Sequence, residues 1–209
     1  MRSLVEELKA DTTAIATLNQ HRNDRLLMYD SLIKALIERK YSGNEASFYY
    51  WGRNISRRVF FFSADGTMQQ LKNSGGLRLI NSPNISDKII AYDVLYRNII
   101  FQQELEEVHL NEYRALASRI FDAGVFNKMM KGIRIVRPKG NPGNSLFLSF
   151  EKPEVNSPLI DNSPYLLNEL ANKLNYYAAG SLRLLQLLEQ LEEMAASMIE
   201  SIKKEYRLK

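Results

Sequence analysis

Apolar residues recur at steps of three and four along three long stretches of this chain, and each stretch predicts a helix burying one seam. The first runs from about Leu4 to Lys40, with Val5, Leu8, Thr12, Ile15, Asn19, Arg22, Leu26, Tyr29, Ile33 and Leu36 on its seam. The second runs from about Pro83 to Phe121, through Ile89, Tyr92, Tyr96, Ile99, Gln103, Glu106, Leu110, Tyr113, Ala117 and Ile120. The third begins at Ser163-Pro164, an N-cap before a proline at the first helical position, and reaches about Arg207. Its seam is Leu167, Leu170, Leu174, Tyr177, Ser181, Leu184, Leu188, Leu191, Ala195, Met198 and Ile202. At 1.5 Å per residue each helix would be about 55–65 Å long. Helices of that length need partners along most of their surface.

Shorter elements fill the intervals. Phe48, Trp51, Ile55 and Val59 share one stripe of an amphipathic helix near Glu45 to Val59, the expected fourth element of the bundle. Asp65-Gly66 reads as a turn, and Thr67 with Gln70 has the spacing of a capping box. That short helix should stop at Gly75-Gly76, and Ser82-Pro83 should start the next. After Gly124 a short helix is expected around Phe126, Met129 and Met130. Ile133–Arg137 and Ser145–Phe150 are β-prone runs around the loop Pro138–Asn144, which reads as a β-hairpin. Glu151–Asn162 reads as an extended connection. The expected fold is all-α: a single domain over 1–209, an elongated antiparallel bundle of three long helices plus a shorter one, with a small β-hairpin insertion at 133–150.

Two stretches resemble a bacterial family of uncharacterised single-pass membrane proteins, known as a domain of unknown function. One is Leu4 to Thr12, LVEELKADT, followed by Tyr29-Asp30-Ser31-Leu32 on the same helix. The other is Thr67 to Asp93, with Leu71, Ser74-Gly75, Leu77, Ile80, Ile89 and Tyr92 at the family's spacing. The likeness extends to about Ile120; beyond it only helical character is shared. The resemblance implies a domain on the outer, periplasmic face of the cytoplasmic membrane, held by one transmembrane helix just upstream of the LVEELKADT equivalent. It implies no catalytic residue, because none is known for the family. This chain has no apolar run of the ~20 residues needed to span a bilayer. Either the anchor has been removed or this member lacks one, and removal is the expectation.

Composition fits a folded helical domain: 45% of the 209 residues are hydrophobic and 25% charged, enough for a core without the signature of disorder. The chain contains no cysteine, which excludes disulfides, thiol catalysis and Cys-ligated metals. A net charge of +4 does not by itself call for nucleic acid. Basic residues do gather at Arg53, Arg57 and Arg58 beside Phe48–Trp51, and at Lys128, Lys131, Arg134, Arg137 and Lys139 around the hairpin. Both groups read best as solvated faces over core aromatics.

Candidate chemistry is sparse. Glu106 and His109 have the Glu-x-x-His spacing of di-iron bundles, but such a site needs a second pair, and His21 has Leu18 three residues before it. With two histidines and no thiol, no catalytic residue, metal or cofactor is expected. More informative are the polar residues that interrupt the seams: Asn19 and Arg22 in the first helix, Gln103 and Glu106 in the second. At equal height, Arg22 and Glu106 would pair inside the bundle. Such a layer fixes helix register or binds a small ligand, unless these positions are merely exposed edges of the bundle. Ala178-Ala179-Gly180-Ser181 is a patch of small residues suited to close helix approach or a local bend. The expected function is interaction or sensing without catalysis, with a protein or small-ligand partner and self-association open. The alternative is a soluble basic protein that binds nucleic acid or another polyanion.

Overall fold

Helix boundaries fall close to where the caps and prolines put them. The computed structural model describes residues 1–136 and 145–208. In chain order the elements are α1 (Arg2–Ile37), α2 (Glu45–Ile55), α3 (Gly66–Asn73), a 3-10 turn (Gly76–Leu79), α4 (Pro83–Ile120), α5 (Ala123–Met129), β1 (Met130–Val136), β2 (Ser145–Phe150) and α6 (Pro164–Glu205). Pro83 and Pro164 open their helices as expected. Gly75 adopts φ +70°, the left-handed conformation that glycine reaches without a Cβ clash.

The fold is all-α. α6 packs along both α1 and α4, and a two-stranded antiparallel hairpin is attached near one end. α6 runs antiparallel to the other two long helices, which are themselves parallel. Its seam is fully buried at every position from Leu167 to Ile202 named above. The seam of α4 holds except at Tyr96, which is half-buried. In α1 only one of two columns is right. Leu8, Ile15, Arg22, Tyr29 and Leu36 are buried, and so is Val5 of the other column, but beyond it the second column is Leu4, Asp11, Leu18, Arg25 and Leu32, one residue away from the expected Thr12, Asn19, Leu26 and Ile33.

Several local expectations are corrected. α2 ends at Ile55 and does not reach Val59. The chain then runs without helix or strand from Arg57 to Asp65, and this strap lies along α1 and α4. The box of Thr67 and Gln70 does not form: the N-cap of α3 is Asp65, two residues before Thr67, and the Glu7 carboxylate of α1 accepts from Thr67 N at 2.9 Å and from Thr67 Oγ1 at 2.7 Å. A carboxylate at a helix start satisfies orphan N–H groups and favours the dipole. The first strand starts at Met130, earlier than Ile133, because α5 runs directly into it. Ile133 pairs with Leu148 and Ile135 with Leu146 in the ladder. The loop Pro138–Asn144 lies outside the described residues.

Two apolar cores stack along the bundle. One joins the C-terminal half of α1 (Tyr29, Leu32), α2 (Phe48, Tyr49), the end of α4 (Tyr113, Ile120) and the start of α6 (Leu170, Tyr177). The other joins the N-terminal halves of α1 and α4 to the C-terminal half of α6, from Leu184 to Ile202. In the first core Gly52 of α2 meets the Phe121 ring: a Cβ there would lie 2.7 and 2.9 Å from its carbons. Alanine normally favours a helix by about 1 kcal/mol over glycine. Overpacking of about 1–3 kcal/mol should outweigh that gain, so Gly52→Ala is expected to lower the urea midpoint; a raised midpoint would contradict the packing.

Candidate functional site

Between the two cores every long helix places polar residues at one height. α1 contributes Arg22 and Arg25, α4 contributes Gln103 and Glu106, and α6 contributes Ser181, each buried to 5% exposure or less. Arg22 Nη1 donates to Glu106 Oε1 at 2.9 Å and Nη2 to Oε2 at 3.1 Å, a two-pronged pair linking α1 to α4. Nη1 also donates to Ser181 Oγ at 3.3 Å, so all three helices are tied at one point. Arg25 Nη2 approaches the same carboxylate at 3.6 Å, and its guanidinium lies 5.9 Å from the centre of the Tyr177 ring. Burial pushes the Glu106 carboxyl up, but the two guanidiniums more than offset this and its net pKa is below the ordinary value.

The strap explains why these residues are polar. Arg22 Nη2 donates to the Val59 carbonyl at 2.9 Å, and Arg25 Nη1 to the Arg57 carbonyl at 2.6 Å. Gln103 accepts from Phe61 N at 2.6 Å and donates to Phe61 O at 3.2 Å, reproducing a strand partner with one side chain. Further along, Asp11 accepts from Ala64 N at 2.7 Å, from the Ser63 hydroxyl, and from the Tyr92 hydroxyl at 2.6 Å. Tyr96 OH accepts from Ser63 N at 3.2 Å. An extended backbone cannot be buried unless its N–H and C=O groups find partners, and here side chains of α1 and α4 supply them. The geometry is commensurate: seven extended steps from Arg57 to Ala64 span roughly 23 Å, and fourteen helical steps from Arg25 to Asp11 span about 21 Å. Because the strap returns the chain along α1, α4 can start at the same end and run parallel to it.

Asp11 is 1% exposed. Burial raises its pKa, while the hydrogen bonds from Ser63, Tyr92 and Ala64 pull the other way and recover only part of the shift.

Of the expected layer residues, the structure brings Arg22, Gln103 and Glu106 together and leaves Asn19 out. Asn19 is half-buried beside the seam, and its Oδ1 has no hydrogen-bond partner among the described residues. Asp11 and Arg25 carry as much of the arrangement as Arg22, and their seven-residue spacing from Leu18 is the signal that marks them. Glu106 and His109 do not converge: Glu106 faces Arg22, and His109 Nδ1 lies 3.8 Å from Glu112. Among the described residues no group of three or more His, Asp or Glu side chains gathers at one point. In the small-residue patch, a Cβ on Gly180 would sit at 3.7 Å from Gln102, ordinary contact, so no close approach demands glycine there; Ser181 is the member with a partner.

The arginines beside Phe48–Trp51 are not a simple solvated face. Arg53 lies 4.7 Å from the centre of the Phe150 ring and 5.4 Å from that of Phe126. Arg58 stacks at 3.6 Å over Phe60 and pairs with Glu107 at 3.2 Å. Lys128 and Lys131 are exposed; Arg137, Lys139 and the Arg134 side chain lie outside the described residues.

The fold and site define an all-α bundle with a side-chain-clamped strap. Compared with known proteins, the chain matches no family model, and no match was found among curated proteins or solved structures. Among the described residues no helix is long and apolar enough to cross a membrane.

Proposed function

We propose that this chain is the extracytoplasmic part of a membrane-anchored bacterial protein and acts as an interaction or sensory module without catalysis. The observation that carries the non-catalytic reading is the use of the buried ionisable groups. Glu106, Arg22, Arg25 and Asp11 hold the strap and one another, the arrangement of a scaffold, whereas acid–base work needs such groups facing a reactant. The location rests on the resemblance of Leu4–Thr12 and Thr67–Asp93 to a family whose members carry an upstream membrane helix. The partner is a protein or a small ligand.

Location and chemistry are tested separately. The full-length gene product is fused at its C-terminus to a phosphatase that is active only outside the cytoplasm. Active enzyme in the membrane fraction is expected, and a soluble, inactive fusion would overturn the anchored reading. Elemental analysis of the purified domain, with melts in and out of chelator, tests the second half. Stoichiometric zinc, iron or manganese with a chelator-induced fall in Tm would overturn the non-catalytic reading.

A further inference from the structure

A cavity of about 190 Å³ opens between α1, α2 and the start of the strap, lined in part by His21, Asp24, Arg25, Tyr50, Asn54 and Arg57. Its volume corresponds to roughly six water molecules and is below the 300–1,000 Å³ common for drug-sized ligands, so an occupant must be small. We propose that this cavity binds a small oxyanion, a carboxylate or phosphate group, gripped by Arg57 with the charge of Arg25 behind it.

The charge balance favours an anion. Arg25 is buried to 5% exposure and cannot lose its proton. Its one carboxylate neighbour among the described residues, Glu106, is already claimed by two hydrogen bonds from Arg22 and stands 3.6 Å from Arg25 Nη2. Arg25 Nε and Nη2 have no hydrogen-bond acceptor among the described residues. Arg57 is held still more loosely. Its Nη1 reaches the Asn54 amide oxygen at 3.5 Å and its guanidinium lies 5.9 Å from the centre of the Phe150 ring, with no carboxylate in ion-pair range among the described residues. Burial and the neighbouring Arg25 both lower the Arg57 pKa, which reports two cations crowded into a poorly solvated corner. Burial and the charge of Arg57 shift the His21 pKa down, toward the neutral imidazole. Exposed Asp24 supplies one negative charge against the two guanidiniums that line the cavity. A planar guanidinium fork matches the two oxygens of a carboxylate or phosphate.

The proposal is independent of where the domain resides. Trp51, the single tryptophan, follows Tyr50 on α2 with its ring 5.9 Å from that of Phe48, and provides an optical reporter on the helix that carries Tyr50 and Asn54. Sodium phosphate, acetate and succinate are each titrated into the intact chain at constant ionic strength, with heat and Trp51 fluorescence recorded. Saturable binding of at least one anion is expected, and the arms separate phosphate from carboxylates. Arg57→Gln is expected to weaken it on the order of tenfold while leaving Tm near the wild-type value. Asp24→Asn, on an exposed side chain whose loss should not affect folding, is expected to tighten it several-fold. No saturable signal up to about 10 mM, unchanged affinity in Arg57→Gln, or weaker binding in Asp24→Asn would each overturn the proposal.

Discussion

Replacing Glu106 with alanine is expected to destabilise the fold by about 3–5 kcal/mol, the range for breaking a buried ion pair from one side. The carboxylate is 5% exposed and faces Arg22 at 2.9 and 3.1 Å and Arg25 at 3.6 Å. Without it two guanidiniums that cannot deprotonate stay in a layer enclosed by apolar cores. Arg22 and Arg25 would still hold the Val59 and Arg57 carbonyls, but against their mutual repulsion. Urea denaturation of Glu106→Ala, Arg22→Ala and the double variant checks this. The double variant should lose markedly less than the two single losses together, and strict additivity would deny the pair. The pKa direction gives a second readout. The Glu106 pKa is lowered in the fold, so its contribution is present above the ordinary glutamate range and is lost as pH falls through the folded value.

Asp11→Ala is the second large effect, expected at about 3 kcal/mol or more. Three donors lose their acceptor at once (Ser63 Oγ, Ala64 N and Tyr92 OH), and each buried orphan costs about 1–3 kcal/mol before relaxation. Asp11→Asn should be much milder. Its amide oxygen can still accept from Ala64, the hydroxyls of Ser63 and Tyr92 can turn to accept, and the desolvated charge is gone. The pH dependence has the opposite sign to that of Glu106. The Asp11 pKa is raised in the fold, so the native state binds the proton more tightly, and stability falls as pH rises from the unfolded aspartate range through the folded value. Wild type should show that component in a pH series of urea midpoints and Asp11→Asn should lack it. Equal losses for alanine and asparagine would mean that the charge, not the acceptor geometry, holds the strap.

How far the sequence showed this depends on what each polar residue binds. The α6 seam was legible throughout, because its only polar member among the buried positions named is Ser181, small enough to sit in a leucine column. The Arg22–Glu106 pair was legible because both residues interrupt apolar columns at mid-helix. The second column of α1 was not. Asp11 and Arg25 resemble surface residues, so the pattern shifts by one position onto Thr12, Asn19, Leu26 and Ile33. The strap was hidden for a related reason. It is held through its backbone, which has no side-chain signature, and Val59 continues the α2 stripe convincingly. No apolar–polar alternation marks it, because Phe60, Phe61 and Phe62 follow one another; only the fold separates buried Phe61 from exposed Phe62. Helix propensity gives way there because side-chain acceptors on α1 and α4 offer the backbone an extended alternative.

The central claim, that buried side chains of α1 and α4 clamp a strap without secondary structure, is tested most directly by hydrogen exchange at the Phe61 and Ala64 amides. Both donate to side-chain oxygens, at 2.6 and 2.7 Å. They are expected to exchange as slowly as helical amides of the bundle core, and Ala64 is expected to lose its protection in Asp11→Ala under conditions where α6 keeps its own. Exchange at the rate of an open loop in the wild-type chain would contradict the account.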